Sequence, residues 1–326
     1  MNLDPHRNHW LLFGVASLAF VGLSVLIAVA PAIETERAVA PVPGSEPLTE
    51  DQRAGLNRYL AEGCPYCHTQ QVRPLPQDKP FGRPSAPGDY ARLAPPDVWR
   101  HTPAVLGTER TGPDLSDVGR RQPSATWQYM HLYQPRSLVP SSVMPAFPWL
   151  FRVKPHADST DVTVPVPAKY VAGGGTVVAT PDAQHLVAYL LALAQVPLGP
   201  GSGGVASEPA RPPESRVGLD VYRARCAGCH QANGAGVAGA FPSLVGDPVV
   251  AAANPDRHIA VVLEGLQGEA VAGVRYPGAM PGWASQLTDT ETAAVIDYER
   301  ASWGNHAPPV AAADVARVRR QHPGLQ

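Results

Sequence analysis

Twenty-one uncharged and mostly apolar residues, WLLFGVASLAFVGLSVLIAVA, run from Trp10 to Ala30. A helix of that length rises about 32 Å, enough to cross a hydrocarbon core of about 30 Å. The pattern predicts a single membrane anchor over 1–33. His6, Arg7 and His9 precede the run, whereas Glu34 and Glu36 follow it with only Arg37 among them. The positive flank stays in the cytoplasm, which puts the bulk of the chain on the other side. A cleaved signal peptide is the competing reading, since Ala28-Val29-Ala30 resembles a small-residue cleavage site. Pro31 and the length of the run count against it. Either reading exports the chain.

Beyond the anchor, PAIETERAVAPVPGSEP lacks periodicity and predicts an extended spacer over 34–47. In LTEDQRAGLNRYLAEGCPYCH, Thr49 is a candidate N-cap and Leu56, Tyr59 and Leu60 share a helical face, so a cysteine pair follows the end of a helix. From Thr69 to about Ser124, dense proline and glycine predict loop that needs something large to pack on. Helical spacing returns in ATWQYMHLYQPRSLV and in PDAQHLVAYLLALAQ, where Leu186, Tyr189, Leu190 and Leu193 align. Between these, TVPVPAKYVAGGGTVVAT predicts a hairpin with a glycine turn.

Pro197 to Ser215 is a linker by composition. After it the order repeats: a helix in RVGLDVYRARCAGCH, a loop, a methionine flanked by proline, and a closing helix in TDTETAAVIDYERAS with Val295, Ile296 and Tyr298. The second half is therefore a divergent duplicate of the first. The predicted domains are 48–196 and 216–303, joined by 197–215 and followed by a tail, 304–326, that is assigned no role. Gly55 with Tyr59, and Gly218 with Tyr222, would let each opening helix cross its closing helix closely.

The chain has 326 residues, length enough for two domains, and 37 prolines with 30 glycines imply much irregular chain. A formal net charge of −2 supplies no basic field, so a nucleic-acid partner is set aside.

All four cysteines fall in two motifs, Cys64-Pro65-Tyr66-Cys67-His68 and Cys226-Ala227-Gly228-Cys229-His230. C-x-x-C-H is the c-type haem attachment signature: two thiols add to the two vinyl groups of one porphyrin edge, and the next histidine reaches the iron. A zinc site would need four ligands close together, but a domain and a linker separate the pairs. A thioredoxin-like dithiol would follow a strand and would not need the histidine twice. A disulfide within each pair leaves both histidines unexplained. Two covalent haem c groups account for every cysteine.

Of four methionines, Met1 is the initiator and Met130 lies on a helical stretch where packing explains it. Met144, in SSVMPAFPW, and Met280, in YPGAMPGW, each follow their own motif and precede proline, which blocks a helix at the methionine. They are the candidate second axial ligands opposite His68 and His230. His/Met ligation leaves no open iron position and suits electron transfer. Pro113 and Pro242 stand at comparable places, where a backbone carbonyl could accept from the ligand imidazole. Arg73, Arg120 and Arg275 are candidates to hold haem propionates.

GCPYCHTQQVRP, RTGPDLSDVGRR, HLYQPRSLVPSSVMPAFPWL and LVAYLLALAQ, after one transmembrane helix, resemble the mono-haem subunit II of cbb3-type cytochrome c oxidases from Trp10 to about Gln195. Arg216 to Trp303 resembles a small class I cytochrome c domain, such as those of the family's di-haem subunit III. The resemblance implies a mainly α protein: one N-terminal transmembrane helix followed by two cytochrome c-like helical haem domains. It also implies a single-pass subunit of the bacterial inner membrane with its haem domains in the periplasm. Cys64, Cys67, Cys226 and Cys229 would bind haem, and His68, Met144, His230 and Met280 would ligate iron. The implied partners are a haem-copper catalytic subunit, where oxygen is reduced, and a soluble or membrane-bound cytochrome c donor; this chain would have no oxygen-reducing centre of its own. A fused second domain departs from the usual subunit II. The alternatives are the cytochrome subunit of a nitric oxide reductase, a di-haem peroxidase, and an anchored electron shuttle without an oxidase.

Overall fold

The computed structural model describes residues 8–91, 105–196, 198 and 214–322. The linker expected over 197–215 lies almost wholly outside them. The anchor forms one unbroken helical run through His9–Ser24, Val25–Val29 and Ala30–Ala38, capped by the Asn8 side chain, which accepts from the Leu11 N–H at 3.2 Å. Its His9–Glu34 stretch is long and apolar enough to cross a membrane, and none of its most apolar window is buried against the rest of the chain. The spacer is not extended throughout, as expected from its sequence: residues 34–38 remain helical. Pro31 cannot continue the bonding ladder and would meet the carbonyl four residues earlier. Val25–Val29 widens to the π spacing just before it, with the Ala30 N–H on the Val25 carbonyl, so the helix absorbs the proline instead of ending there.

The first domain opens with Glu50–Ala61. Thr49 caps it as its spacing implied, in a reciprocal box with Gln52. This helix crosses the closing helix Pro181–Ala192 at Gly55, where a Cβ would lie 2.0 Å from the His185 carbonyl oxygen. One turn on, the Tyr59 and Tyr189 rings meet with centroids 5.5 Å apart. Met130, on the Ala125–Tyr133 helix, is fully buried in the same core. The loop expected after the motif contains only short turns, at Pro76–Phe81, Pro87–Tyr90 and Val118–Arg121, among its described residues.

The expected hairpin forms between Thr163–Val164 and Thr176–Ala179, and Phe151–Lys154 pairs with the other edge of the second strand to make an antiparallel three-stranded sheet. Sequence pattern did not indicate the Phe151–Lys154 strand. Only Phe151 of its four residues is buried, so the alternation that marks a strand is absent.

The second domain repeats the crossing. Glu214–Val221, Tyr222–Cys226 and Ala227–His230 run on from one another, Gly218 sits against the closing helix Asp289–Ala301 with a Cβ position 2.1 Å from the Ala294 oxygen, and Tyr222 meets Tyr298 at 5.2 Å. The tail is not idle. Ala312–Gln321 is a helix whose Val315 and Val318 are buried in the second core together with Val310. Arg300, 1 % exposed, reaches back from the closing helix and donates to the carbonyls of Pro308, Val250 and Ala252 at 2.8, 2.9 and 2.7 Å. It ties the tail to the Pro248–Ala251 turn.

The two cores adjoin. Val237, Ala240 and Phe241 of the second domain are buried in the core of the first.

Candidate haem pockets

His68 leaves the Cys64–Tyr66 turn at the end of the opening helix, and its Nδ1 lies 2.8 Å from the Pro113 carbonyl oxygen. His230 repeats the arrangement, with Nδ1 3.0 Å from the Pro242 carbonyl. A carbonyl can only accept, so Nδ1 carries the proton in each ring and Nε2 presents its lone pair. Burial holds both imidazoles below the ordinary histidine range, and the carbonyls oppose that shift only in part. Each is thus a neutral imidazole of fixed tautomer.

The Pro113 loop is held by several bonds. Gly112 N–H donates to the Cys67 carbonyl and Leu115 N–H to the Thr69 carbonyl, both at 2.8 Å. The buried Asp114 carboxylate accepts from Thr69 Oγ1 at 2.6 Å, Gln71 N–H at 2.9 Å and Ser116 N–H at 2.8 Å. Gly112 is required by the ring itself: a Cβ there would stand 2.3 Å from His68 Cε1.

A second buried carboxylate, Asp78, ties the same region to the chain beyond the motif. It accepts from Arg73 Nε and Nη2 at 3.0 Å each and from Arg110 Nη1. Those guanidiniums hold the Asp78 carboxyl well below the usual range. The unfolded chain, with an aspartate near pKa 3.9, takes up the proton first as pH falls, so this stabilisation is complete above about pH 4 and is lost below it. Denaturant midpoints between about pH 5 and 2 should fall steeply for the wild type and less steeply for Asp78→Asn; parallel curves would exclude the carboxylate as the cause.

His68 and Met144 line one cavity in the first domain, along with Trp127, His131 and Arg121. Cys64 and Met144 are each packed against the apolar core, Cys67 is exposed, and neither cysteine is in the lining of this cavity. In the second domain Cys226, Cys229, His230 and Met280 all face one cavity. Met280 is in a short strand opposite Leu266, the extended geometry expected before Pro281. None of the four cysteines is in a disulfide. Burial pushes Cys64 and Cys229 up to about 12 and holds Cys226 well above the ordinary thiol range.

The three arginines proposed from sequence are not at the cavities. Arg73 is committed to Asp78, Arg120 donates to the Gln195 carbonyl at 2.8 Å, and the exposed Arg275 donates to the Gly268 carbonyl at 2.7 Å. Spacing cannot tell an arginine with an internal partner from one facing a ligand. The arginines that line the pockets are Arg121, Arg223 and Arg225, and of these Arg121 and Arg225 each have a buried nitrogen without a hydrogen-bond partner among the described residues, Nε and Nη1 respectively. An acidic porphyrin edge supplies what they lack, so the residues present fit a haem.

Sequence reading also passed over His131, whose ring stacks on Trp127 at 4.4 Å and 11°. Burial pushes His131 down to about 4, leaving it neutral. The signal was available: both residues are on one helix four positions apart.

Comparison with known proteins agrees with this geometry. The family described as cytochrome c oxidase, mono-heme subunit/FixO, matches residues 6–173, and that described as cytochrome c oxidase, cbb3-type, subunit III, matches residues 213–298. The chain is 37 % identical over 162 residues to the cytochrome c subunit of a quinone alcohol dehydrogenase from Gluconacetobacter polyoxogenes, covering 43 % of this chain and 31 % of that one. It is 34 % identical over 109 residues to the gluconate 2-dehydrogenase cytochrome c subunit of Pantoea cypripedii, 33 % of this chain and 25 % of that one. Cytochrome c-552 of Thermus thermophilus is 46 % identical over 92 residues, 27 % of this chain and 69 % of its own length. The chain thus spans about a third of the dehydrogenase subunit's length. Such cytochrome c domains carry covalently bound haem c. With its first family match covering half of its length, an apolar anchor helix and a second cytochrome c domain behind it, this chain belongs to the mono-haem cytochrome c oxidase subunit family and is a membrane-anchored c-type electron-transfer subunit.

Proposed function

We propose that the chain carries two haem c groups and is the electron-relay subunit of a cbb3-type oxidase, passing electrons from a cytochrome c donor to a haem-copper catalytic subunit. In this reading Cys64 and Cys67 hold the first haem and Cys226 and Cys229 the second. His68 with Met144, and His230 with Met280, are the axial pairs, and both domains lie on the periplasmic face of the bacterial inner membrane. The observation that carries it is the repeated pairing of a histidine, fixed by a proline carbonyl, with a methionine in the same cavity.

When bound, the haem supplies a one-electron iron couple. The chain's own residues do the rest. The Pro113 and Pro242 carbonyls orient the ligand imidazoles and raise their basicity. Apolar walls, among them Leu132, Val262 and Trp283, exclude water, which with a methionine ligand favours a high potential.

Purification of the full chain from detergent-solubilised membrane should bring down a complex that oxidises reduced cytochrome c and consumes oxygen. Nitric oxide consumption without oxygen consumption would instead indicate the related reductase. The dehydrogenase relatives favour one second reading, an anchored cytochrome that receives electrons from a dehydrogenase, and copurification of such a partner without an oxidase would select it. Met144→Leu and Met280→Leu should each remove about half of the methionine-to-iron charge-transfer band. A resting high-spin haem in the wild type would point to a peroxidase.

A further inference from the structure

Arg225 stands directly before Cys226 in the second domain, yet it lines the cavities of both domains, as Gln122 of the first also does. Several contacts hold it at this seam. Trp127 Nε1 donates to the carbonyl of Gly228, inside the second attachment motif, at 2.8 Å. Phe241 is buried in the first core, and the Gly278 Cβ position lies 3.4 Å from Thr126 Oγ1. The second motif is thereby seated on the wall of the first pocket.

The charges at the seam do not balance internally. Arg225 Nη1 is buried without an acceptor among the described residues, and its Cζ lies 5.7 Å from the Trp283 ring centre. Asp117, the carboxylate that acts on it most, accepts from the Gln195 N–H at 2.8 Å and faces Arg120 Nε at 3.6 Å. Asp114 is taken up by Thr69, Gln71, Ser116 and Arg110. Arg121 also has a nitrogen left over. A half-buried guanidinium with a buried nitrogen left over calls for an anion, and a carboxylate matches its fork.

We propose that Arg225 reaches across the domain seam to bind a propionate carboxylate of the haem in the first pocket, so that the second domain's own attachment motif completes the first domain's site. The inference rests on the reading that each pocket holds a haem. One consequence is electrostatic. A cation beside the first haem favours its reduced state, so the first potential is set partly by a residue of the second domain. The other is mechanical, because loading the first pocket would hold the two domains together.

Potentiometric titration of the full-length haem-loaded protein in detergent tests this, with the first wave assigned by its displacement in Met144→His. Arg225→Gln should lower the midpoint of the first haem by about a tenfold change in its one-electron reduction constant, about 59 mV. Arg225→Lys, which keeps the charge but loses the fork, should lower it less. Arg216→Gln removes an exposed cation of the same opening helix that lines neither cavity and should leave the first wave in place. An unmoved first wave in Arg225→Gln, or an equal fall in Arg216→Gln, overturns the proposal. Should Arg225→Gln fail to assemble, Arg225→Lys is read against wild type by the same criterion. A haemochrome count below two in the wild type would sink the two-haem reading itself, separately from the role of Arg225.

Discussion

Gly112→Ala in the full-length protein is expected to leave both haems covalently attached and to strip the first of its normal axial field. The alanine Cβ would stand 2.3 Å from Cε1, 2.7 Å from Nδ1 and 2.8 Å from Nε2 of His68, so the entire ring has to move. The loop cannot give way instead, because it is bonded at Gly112, Leu115 and Asp114 to the chain on either side of His68. The cysteine thiols lie on the preceding turn and are not among the atoms nearest the new Cβ, although the Cys67 carbonyl accepts from the residue 112 N–H. About half of the low-spin His/Met signal should therefore be lost while the haemochrome count stays at two. An unchanged spectrum would mean that His68 does not ligate from the position seen here.

Gly55→Ala should destabilise the first domain by about 3 kcal/mol, the upper end of ordinary overpacking. Its Cβ would meet the backbone oxygen of His185 at 2.0 Å, and a backbone carbonyl in the middle of a helix cannot rotate away. Relief requires the opening and closing helices to separate, which in turn pulls Tyr59 from Tyr189. Gly14→Ala in the anchor, with nothing within 4 Å, is the matched control and should be silent. Thermal and denaturant unfolding of the haem-loaded protein would read the difference, and a Gly55→Ala protein as stable as the Gly14→Ala control would refute the close crossing. Gly218 stands 2.1 Å from the Ala294 oxygen in the duplicate and predicts the same result there.

These glycines mark how far the sequence carries. Gly55 and Gly218 were legible because each precedes a tyrosine by one helical turn in two segments that repeat. Gly112 was not, for its obstacle is a ring 44 positions away. The Pro113 and Pro242 carbonyls were found by their shared place after each motif, a regularity that any duplicated loop preserves.

The arginines failed for the opposite reason. Arg73, Arg120 and Arg275 have the right chemistry, and only their neighbours show that it is already spent on Asp78, Gln195 and Gly268. The tail was read as a marginal helix without a role because Ala312–Gln321 has little apolar surface of its own; Val315 and Val318 gain their weight from the Asp256–Glu264 and Asp289–Ala301 helices they pack upon.

By itself the sequence determined the anchor, the two attachment motifs, the candidate methionines and the order of the duplicated helices. Each is a local pattern whose physics is complete within a few turns of chain: a run of apolar residues, a cysteine spacing, a helical period. Only the tertiary structure decided which carboxylate holds which arginine, which glycine faces a ligand, and that Arg225 stands between the two pockets. Those outcomes depend on the distance between side chains far apart in sequence, and packing the Trp127 helix against the Gly228 turn is what sets that distance at the seam.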